Sequence, residues 1–274
     1  MRLIFSRKGF DGTAGGCASP IVDDRPVSLP IPTRSPTSTC YGDLLGAYGD
    51  LVQDLTSGRI TRCSPCHLDP DIRVGCLPRL PGWRGCLGQV GAARSHLVRQ
   101  GVGPGDLFLF WGRFRPARRI SGRWTFHGLT QHRIFGWLQV GEVIELGPDG
   151  AWVTTRYPWL SSHPHARAGW PASNGLYVGA ETLDAPGVHA GLPGWGTFAR
   201  GYGLTAPNAN PSVWSVPKWL NPAVGGAGMT YHASQRWHAD GTVKTVAQGQ
   251  EFVSTVDGSP EVSDWLVKLF EDAS

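Results

Sequence analysis

Residues 107–111 read LFLFW and residues 134–144 read IFGWLQVGEVI. Both are largely apolar runs of strand length, and a turn with three glycines and a proline, residues 101–106, precedes the first. We expect two buried strands that pair as a hairpin. The segment between them is basic and aromatic, which favours contact with nucleic acid, because arginine pairs with phosphate and aromatic faces stack on bases. The residues predicted to make that contact are Arg113, Arg115, Arg118, Arg119, Arg123 and Trp124. The alternative is a hairpin tip that is charged only to remain soluble.

The 274-residue chain is 41% hydrophobic and carries a net charge of +4, as expected of a globular protein with a packed core. Periodic apolar residues predict helices at residues 41–55, 88–99 and 262–272. Short apolar runs predict strands at residues 3–5, 152–155, 175–178 and 248–253. We therefore predict an α+β fold in a single domain, residues 1–274, with a mixed or antiparallel sheet, a few helices and long loops rich in Gly, Pro and Trp.

No segment has the length and apolarity of a signal peptide or a membrane helix, so we expect a soluble cytoplasmic protein without a membrane partner. Six cysteines in that compartment are expected to be thiols or metal ligands. Residues 63–67 read CSPCH, the attachment pattern of c-type haem, which we discount because such cytochromes mature outside the cytoplasm. A zinc site formed by Cys63, Cys66, Cys76 and Cys86 is the alternative to free thiols.

Residues 67–71 read HLDPD and are the sharpest chemical signal in the chain. His67 and Asp69 are spaced to supply two ligands of a two-histidine, one-carboxylate iron site. The candidates for the third ligand are His127, His132, His163 and His165. Three other interpretations stay open: Asp69 and Asp71 bind a hard cation, His67 and Asp69 transfer a proton, or the segment is only a polar turn.

Two further groups of residues suggest a pocket. Lys8, Asp11 and the glycine-rich residues 12–16 follow the first predicted strand, and glycines let a backbone approach a phosphate or base closely. Gln89 and His96 lie seven residues apart on a predicted helix and hence on one face. Aromatic side chains suited to stacking on a base are Trp111, Trp214, Trp219, Tyr231 and Trp237. A tryptophan-rich core would give the same pattern.

Several segments together resemble the third nucleotide modification associated domain family. The segments that carry the resemblance are MRLIFSRKGFD (1–11), HLDPD (67–71), GQVGAA (88–93), GDLFLF (105–110), FGWLQVGE (135–142) and QGQEF (248–252). The resemblance covers nearly the whole chain and implies a role in bacterial or phage systems that hypermodify DNA bases. The hairpin alone is similar to PUA-like and EVE-like barrels, which bind modified bases, and this similarity implies a barrel-like sheet.

The main hypothesis is a nucleic-acid-directed protein of a base-modification pathway, whose partner is nucleic acid, expected to be DNA, or a nucleotide. The residues expected to act on the base or read it are Lys8, Asp11, His67, Asp69 and Gln89. One alternative is a metal-dependent enzyme of the non-haem iron type that uses His67 and Asp69, with iron or zinc as its cofactor. The other is a non-catalytic interaction protein.

Overall fold

The computed structural model describes residues 1–33, 39–189, 191–247, 249 and 251–273. The strands of the described residues are β1 (Arg2–Arg7), β2 (Ser19–Val22), β3 (Arg25–Pro26), β4 (Ile31–Pro32), β5 (Cys66–His67), β6 (Cys86–Gln89), β7 (Leu107–Ile120), β8 (Arg123–Phe126), β9 (Gln131–Glu145), β10 (Gly175–Gly179), β11 (Trp195–Gly203), β12 (Val213–Ser215), β13 (Trp237–His238), β14 (Thr242–Lys244) and β15 (Glu251–Thr255). The α-helices are α1 (Tyr48–Leu55), α2 (Gly91–Arg99), α3 (Val153–Arg156) and α4 (Pro260–Phe270).

A large mixed sheet runs through the molecule in the order β15-β1-β7-β9-β10-β6. β1 and β2 both pair with β7 in parallel, whereas β7 and β9 form the antiparallel hairpin that the two apolar runs predicted. The predicted α+β class with a mixed sheet is therefore confirmed. The barrel-like closure is not confirmed, because the sheet of the described strands ends at β15 and β6, which do not pair with each other. The single domain over the whole chain stays a prediction.

β7 lies at the centre of the sheet because apolar side chains on both of its faces are buried. Leu109 and Trp111 join the hydrophobic cluster that also contains the inner face of α4. Phe108 and Phe110 alternate with them and join the cluster on the opposite face, where Leu97 of α2 packs. A strand covered on both faces appears in sequence as an unbroken apolar run, which is why this stretch decides the fold.

Three sequence predictions of local structure need correction. The helix predicted at residues 41–55 is divided into a 3₁₀ turn, Tyr41–Asp43, and α1, because Gly46 between them has a φ of 97°. The helix predicted at 88–99 begins at Gly91, since the preceding residues pair with β10 as strand β6. Residues 152–155, predicted to be a strand, lie in a 3₁₀ turn and in α3.

The other predicted elements are present with adjusted bounds. β1, β10 and α4 cover the first strand, the strand at 175–178 and the C-terminal helix of the sequence analysis. The late strand predicted at 248–253 is β15, and its first residues, Gln248 and Gln250, lie outside the described residues. No helix in the described part of the chain has the length and apolarity needed to cross a membrane.

α4 offers a matched test of the core. Leu266 is fully buried under the sheet, and its neighbour Val267 is 37% exposed. We expect Leu266→Ala to lower the free energy of unfolding by about 2–5 kcal/mol and Val267→Ala to change it by less than about 1 kcal/mol. Chemical denaturation measures both values. Equal effects of the two substitutions would contradict the packing of α4 described above.

Candidate metal and nucleotide site

Two segments that are distant in sequence bring a carboxylate and three imidazoles together. His67 ends β5, Asp69 follows two residues later, and His163 and His165 follow the 3₁₀ helix Pro158–Ser162. The Nε2 atoms of His67, His163 and His165 lie 3.8, 3.6 and 3.9 Å from the carboxylate oxygens of Asp69. Donor atoms of His67, Asp69 and His165 all lie within 4.8 Å of one another.

The two oxygens of Asp69 have different surroundings. Oδ1 accepts the backbone N–H of Gly88 at 2.7 Å and is the oxygen nearest to His163. Oδ2 faces the Nε2 atoms of His67 and His165. A metal ligand needs a free lone pair directed at the same point as those of its fellow ligands. Oδ2 meets this requirement with the two histidines, while Oδ1 is used to fix the carboxylate in place.

Hydrogen bonds determine which nitrogen carries the proton in His165 and in His163. Asn174 Nδ2 donates to the backbone carbonyl of His165 at 3.1 Å, which leaves Asn174 Oδ1 to accept from His165 Nδ1 at 2.7 Å. Nε2 of His165 is therefore a free lone pair, as in a metal-ligating histidine. His163 has the opposite tautomer, because its Nδ1 accepts the backbone N–H of His165 at 3.3 Å. Its Nε2–H lies 3.6 Å from Asp69 Oδ1, beyond hydrogen-bond distance, and a protonated nitrogen has no lone pair to offer a metal ion.

Burial and the close packing of charges set the protonation of the cluster. Burial lowers the pKa of His67 and lowers that of His165 to about 4, so both rings are neutral at pH 7. For Asp69, burial acts to raise the pKa, but His163 and the neighbouring His165 and His67 rings outweigh it, and the pKa lies well below its usual range. Two neutral imidazoles beside an ionised carboxylate are the protonation state that a divalent metal ion requires.

The cluster lies at the wall of a cavity of about 370 Å³, which we call the metal cavity. This volume falls in the range of small-molecule sites, roughly 300–1,000 Å³. Trp170 stacks on His165 with ring centroids 4.2 Å apart and planes 8° from parallel, and Ile31 and Val90 add apolar surface. The sequence-predicted residues that line the metal cavity are Lys8, Asp11, His67, Asp69 and Gln89.

A buried carboxylate that the sequence analysis did not single out holds two of these residues. Glu251, only 1% exposed, accepts Lys8 Nζ at 3.0 Å and Gln89 Nε2 at 2.5 Å on the same oxygen. The bond to Nε2 leaves the carbonyl oxygen of Gln89 as the acceptor that this side chain can offer a ligand. Gln89 lies at the end of β6, not on the helix that carries His96, so the predicted shared helical face is wrong.

Asp11 contributes to the cavity mainly by holding its own loop. Oδ1 accepts the backbone N–H groups of Thr13 and Ala14 at 2.8 and 2.7 Å, and Oδ2 accepts the Arg7 guanidinium at 2.7 Å. Burial acts to raise the pKa of Asp11, but these hydrogen bonds and Arg7 lower it below its ordinary value. The carboxylate is thus ionised and already occupied by four donors, counting the Thr13 hydroxyl.

The arginines predicted to contact nucleic acid have different surroundings, and their contact with nucleic acid stays a prediction. Arg115 donates to the backbone carbonyl of Gly128, and Arg119 lies over the Trp124 ring, 3.6 Å from Asp50. Arg118 and Arg123 are exposed. Arg113 is exposed as well, and it lines a second cavity beside the metal cavity.

Most of the aromatic rings proposed as stacking walls belong to the core. Trp111, Trp214 and Trp237 are at most 5% exposed and pack in the cluster under α4, and Trp219 packs on Trp265. Tyr231 is 51% exposed but lies against His96, away from the metal cavity. This corrects the expected stacking role of Trp111, Trp214 and Trp237, because a ring covered on both faces offers none to a base, whereas the role of Trp219 and Tyr231 stays a prediction. Trp170 is the tryptophan beside the cluster.

Two alternative metal sites of the sequence analysis are wrong for the described residues. The cysteines form no ligand group there. Burial raises the pKa of Cys66 and of Cys76 to about 12, so both remain neutral thiols in the core. Both oxygens of Asp71 are bound by the Arg79 guanidinium at 2.5 and 2.7 Å, so Asp71 does not share a cation with Asp69. Of the four third-ligand candidates, His165 lies with His67 and Asp69, whereas His127 is exposed and His132 lies at the second cavity.

The buried histidines predict a loss of stability in acid, and His132 gives the sharpest test. Burial, with Arg7 and Arg113, lowers the pKa of His132 from 6.5 to about 4. Between pH 6.5 and 4, His132 is protonated in the unfolded chain but neutral in the folded protein. The free energy of unfolding therefore falls by about 3 kcal/mol as the pH decreases over this range. In metal-free protein, His132→Gln should reduce the number of protons taken up on unfolding in this pH range by about one. Parallel pH profiles of the two proteins in denaturant unfolding would contradict the assignment.

Comparison with known proteins agrees with the resemblance seen in the sequence. No curated protein and no solved structure matches the chain. The model of the family described as nucleotide modification associated domain 3 matches residues 2–255. This range includes His67, Asp69, His163 and His165. The description of that family suggests a role in a nucleotide- or DNA-modification pathway. The chain belongs to the nucleotide modification associated domain 3 family.

Proposed function

We propose that this chain is a metal-dependent enzyme of nucleotide modification. A divalent transition-metal ion is held by Nε2 of His67, Oδ2 of Asp69 and Nε2 of His165. The base of a nucleotide, free or in a nucleic acid strand, occupies the metal cavity beside it. The observation that carries this proposal is the convergence of two neutral histidines and one ionised carboxylate at the wall of a cavity large enough for a substrate.

The ligand set suits a catalytic ion better than a structural one. Structural zinc sites are closed by four protein ligands, whereas catalytic ions keep positions open for water or substrate. Two histidines and one carboxylate with open positions are typical of non-haem iron enzymes, and a similar set serves catalytic zinc. When bound, the ion supplies activation of a water molecule or of oxygen next to the base.

The surrounding side chains have separate tasks in this proposal. Gly88 N–H and His163 orient Asp69, and Asn174 orients His165, so the ligands are fixed before the ion arrives. Lys8 and Gln89, both held by Glu251, present a cation donor and a carbonyl acceptor to polar groups of the base.

The same geometry weakens the two competing interpretations. Proton transfer between His67 and Asp69 needs a direct hydrogen bond, but their closest atoms are 3.8 Å apart, with His165 facing the same oxygen. A purely structural interaction protein has no need for a buried carboxylate beside two neutral histidines, an arrangement that is costly without a cation.

Metal analysis of protein purified without oxygen tests the proposed site. We expect about one ion per chain in the wild type and almost none in Asp69→Asn or His165→Ala, because each variant removes one of three ligands. Iron would assign oxygen activation, and zinc would assign water activation. His127→Ala, which alters an exposed histidine, should retain the ion. A metal-free wild type, or an ion retained by Asp69→Asn, would refute the site.

His163 separates an orienting role from a ligand role. If its Nε2–H only orients Asp69, His163→Gln should weaken cobalt or zinc affinity by about 10–100-fold and leave the number of ions per chain unchanged. The absorption spectrum of the bound cobalt should keep the coordination of the wild type. Loss of binding as complete as in His165→Ala would show that His163 is itself a ligand.

Gly88 provides a steric test in which no proposed ligand residue is substituted. A Cβ atom at this residue would lie 2.2 Å from the His165 ring, so Gly88→Ala must displace the ring from Asp69. We expect this variant to lose the metal while its circular dichroism stays near that of the wild type. Gly203→Ala is the matched control, since a Cβ there meets nothing within 4 Å. Full metal occupancy in Gly88→Ala would contradict the geometry of the cluster.

A further inference from the structure

A second cavity, of about 460 Å³, adjoins the metal cavity, and we call it the basic cavity. The residues that line both cavities are Arg7, Lys8, Gly9, Asp11 and Thr13. The basic cavity adds Arg113 from β7 and His132 from β9 to this shared wall. A ligand that follows the shared segment therefore passes from the metal cluster into a region of different chemistry.

Three cations line the basic cavity, and they differ in their partners: Arg7 pairs with Asp11 and Lys8 with Glu251, whereas Arg113 pairs with no carboxylate of the described residues. Within the described residues of its lining, Asp11 is the single carboxylate, and the Thr13 and Ala14 groups and Arg7 already occupy both of its oxygens. The side chain of Arg113 makes no hydrogen bond or ion pair within the described part of the chain, while its backbone pairs with β9. Its Nη1 lies 3.9 Å from the position that a Cβ of Gly12 would take, so the guanidinium reaches across to the loop.

His132 adds a neutral donor to the same wall. Its Nδ1 accepts the indole N–H of Trp214 at 2.9 Å, which places the ring proton on Nε2. Burial, together with Arg7 and Arg113, holds the pKa of the ring at about 4, so it stays neutral at pH 7. A ring fixed in this state offers an anion an N–H donor and no competing lone pair at that atom.

We propose that the basic cavity is a phosphate subsite that binds the phosphate ester of the substrate nucleotide through Arg113, Arg7 and His132. The inference rests on the proposed function, because it places the base at the metal cluster and the phosphate in the adjoining cavity. Arginine is the side chain best suited to this contact, since its planar guanidinium donates two parallel hydrogen bonds to phosphate oxygens. The chemistry recognised is a phosphate ester, carried either by a free nucleotide or by a DNA strand.

Paired ligands test the subsite directly. Dissociation constants are measured for the four common deoxynucleosides, for their 5′-monophosphates and for a single-stranded oligonucleotide, with inorganic phosphate as competitor. We expect at least one monophosphate or the oligonucleotide to bind at least tenfold more tightly than its nucleoside. Arg113→Gln should abolish that preference without changing nucleoside affinity. Arg118→Gln, which alters an exposed arginine of the same strand outside both cavities, should retain it.

The outcomes separate this inference from the proposed function. A preference for the monophosphate assigns the subsite to free nucleotides, and a preference confined to the oligonucleotide assigns it to strand phosphates. Asp69→Asn, which should lack the metal, should still show the preference that depends on Arg113. The phosphate subsite can therefore be confirmed even if the metal site is refuted. Equal affinity for nucleosides and phosphate esters, or a preference that survives in Arg113→Gln, would overturn the subsite.

Discussion

Burial of the Asp69 carboxylate is the constraint on which the site depends. A carboxylate removed from water is costly unless hydrogen-bond donors or a cation surround it. Asp69 obtains a donor from Gly88 of β6 and lies between imidazoles from β5 and from the segment that follows the 3₁₀ helix Pro158–Ser162. The same contacts tie three distant segments together and leave one oxygen facing the Nε2 atoms of two neutral histidines. The contacts that stabilise the buried carboxylate thus also bring the proposed metal ligands together.

A second buried carboxylate extends the same principle across the cavity. Glu251 on β15 binds Lys8 and Gln89 through one oxygen, and its other oxygen is buried without a hydrogen-bond partner among the described residues. The Lys8 ammonium therefore balances the charge of Glu251 inside the protein. Because Lys8 follows β1 and Gln89 ends β6, this contact joins two strands that are not neighbours in the sheet. Lys8 and Gln89 are thus held by Glu251 at the wall where the base is proposed to lie.

The sequence was informative where the signal was local. Double-sided burial left an unbroken apolar run in β7, so the central hairpin was predictable. His67 and Asp69 were found because they are two residues apart. His165 stayed one of four candidates, since its selection depends on Asn174 and Trp170, contacts that exist only after folding. The glycine at residue 88 carried no chemical signal, although the His165 ring packs directly against it.

Tertiary packing also explains the predictions that were wrong. A series of tryptophans is compatible in sequence with a stacking wall or with a core, and Trp111 and Trp214 are buried against each other, with ring centroids 4.7 Å apart. The pattern of a basic, aromatic hairpin was equally ambiguous. Arg119 forms an ion pair with Asp50 of α1. Among the described residues that line the metal cavity and the basic cavity, Arg113 is the only one of the five arginines. Charge and aromatic content in the sequence therefore did not show which of these side chains line a cavity.

Anomalous X-ray scattering from crystals grown with cobalt or zinc tests the central claim most directly. The account predicts one peak at the wall of the metal cavity, within roughly 2.0–2.2 Å of His67 Nε2, Asp69 Oδ2 and His165 Nε2, with His163 Nε2 outside bonding distance. A peak at the cysteines, a peak bonded to His163, or a metal cavity without a peak at saturating metal would contradict it.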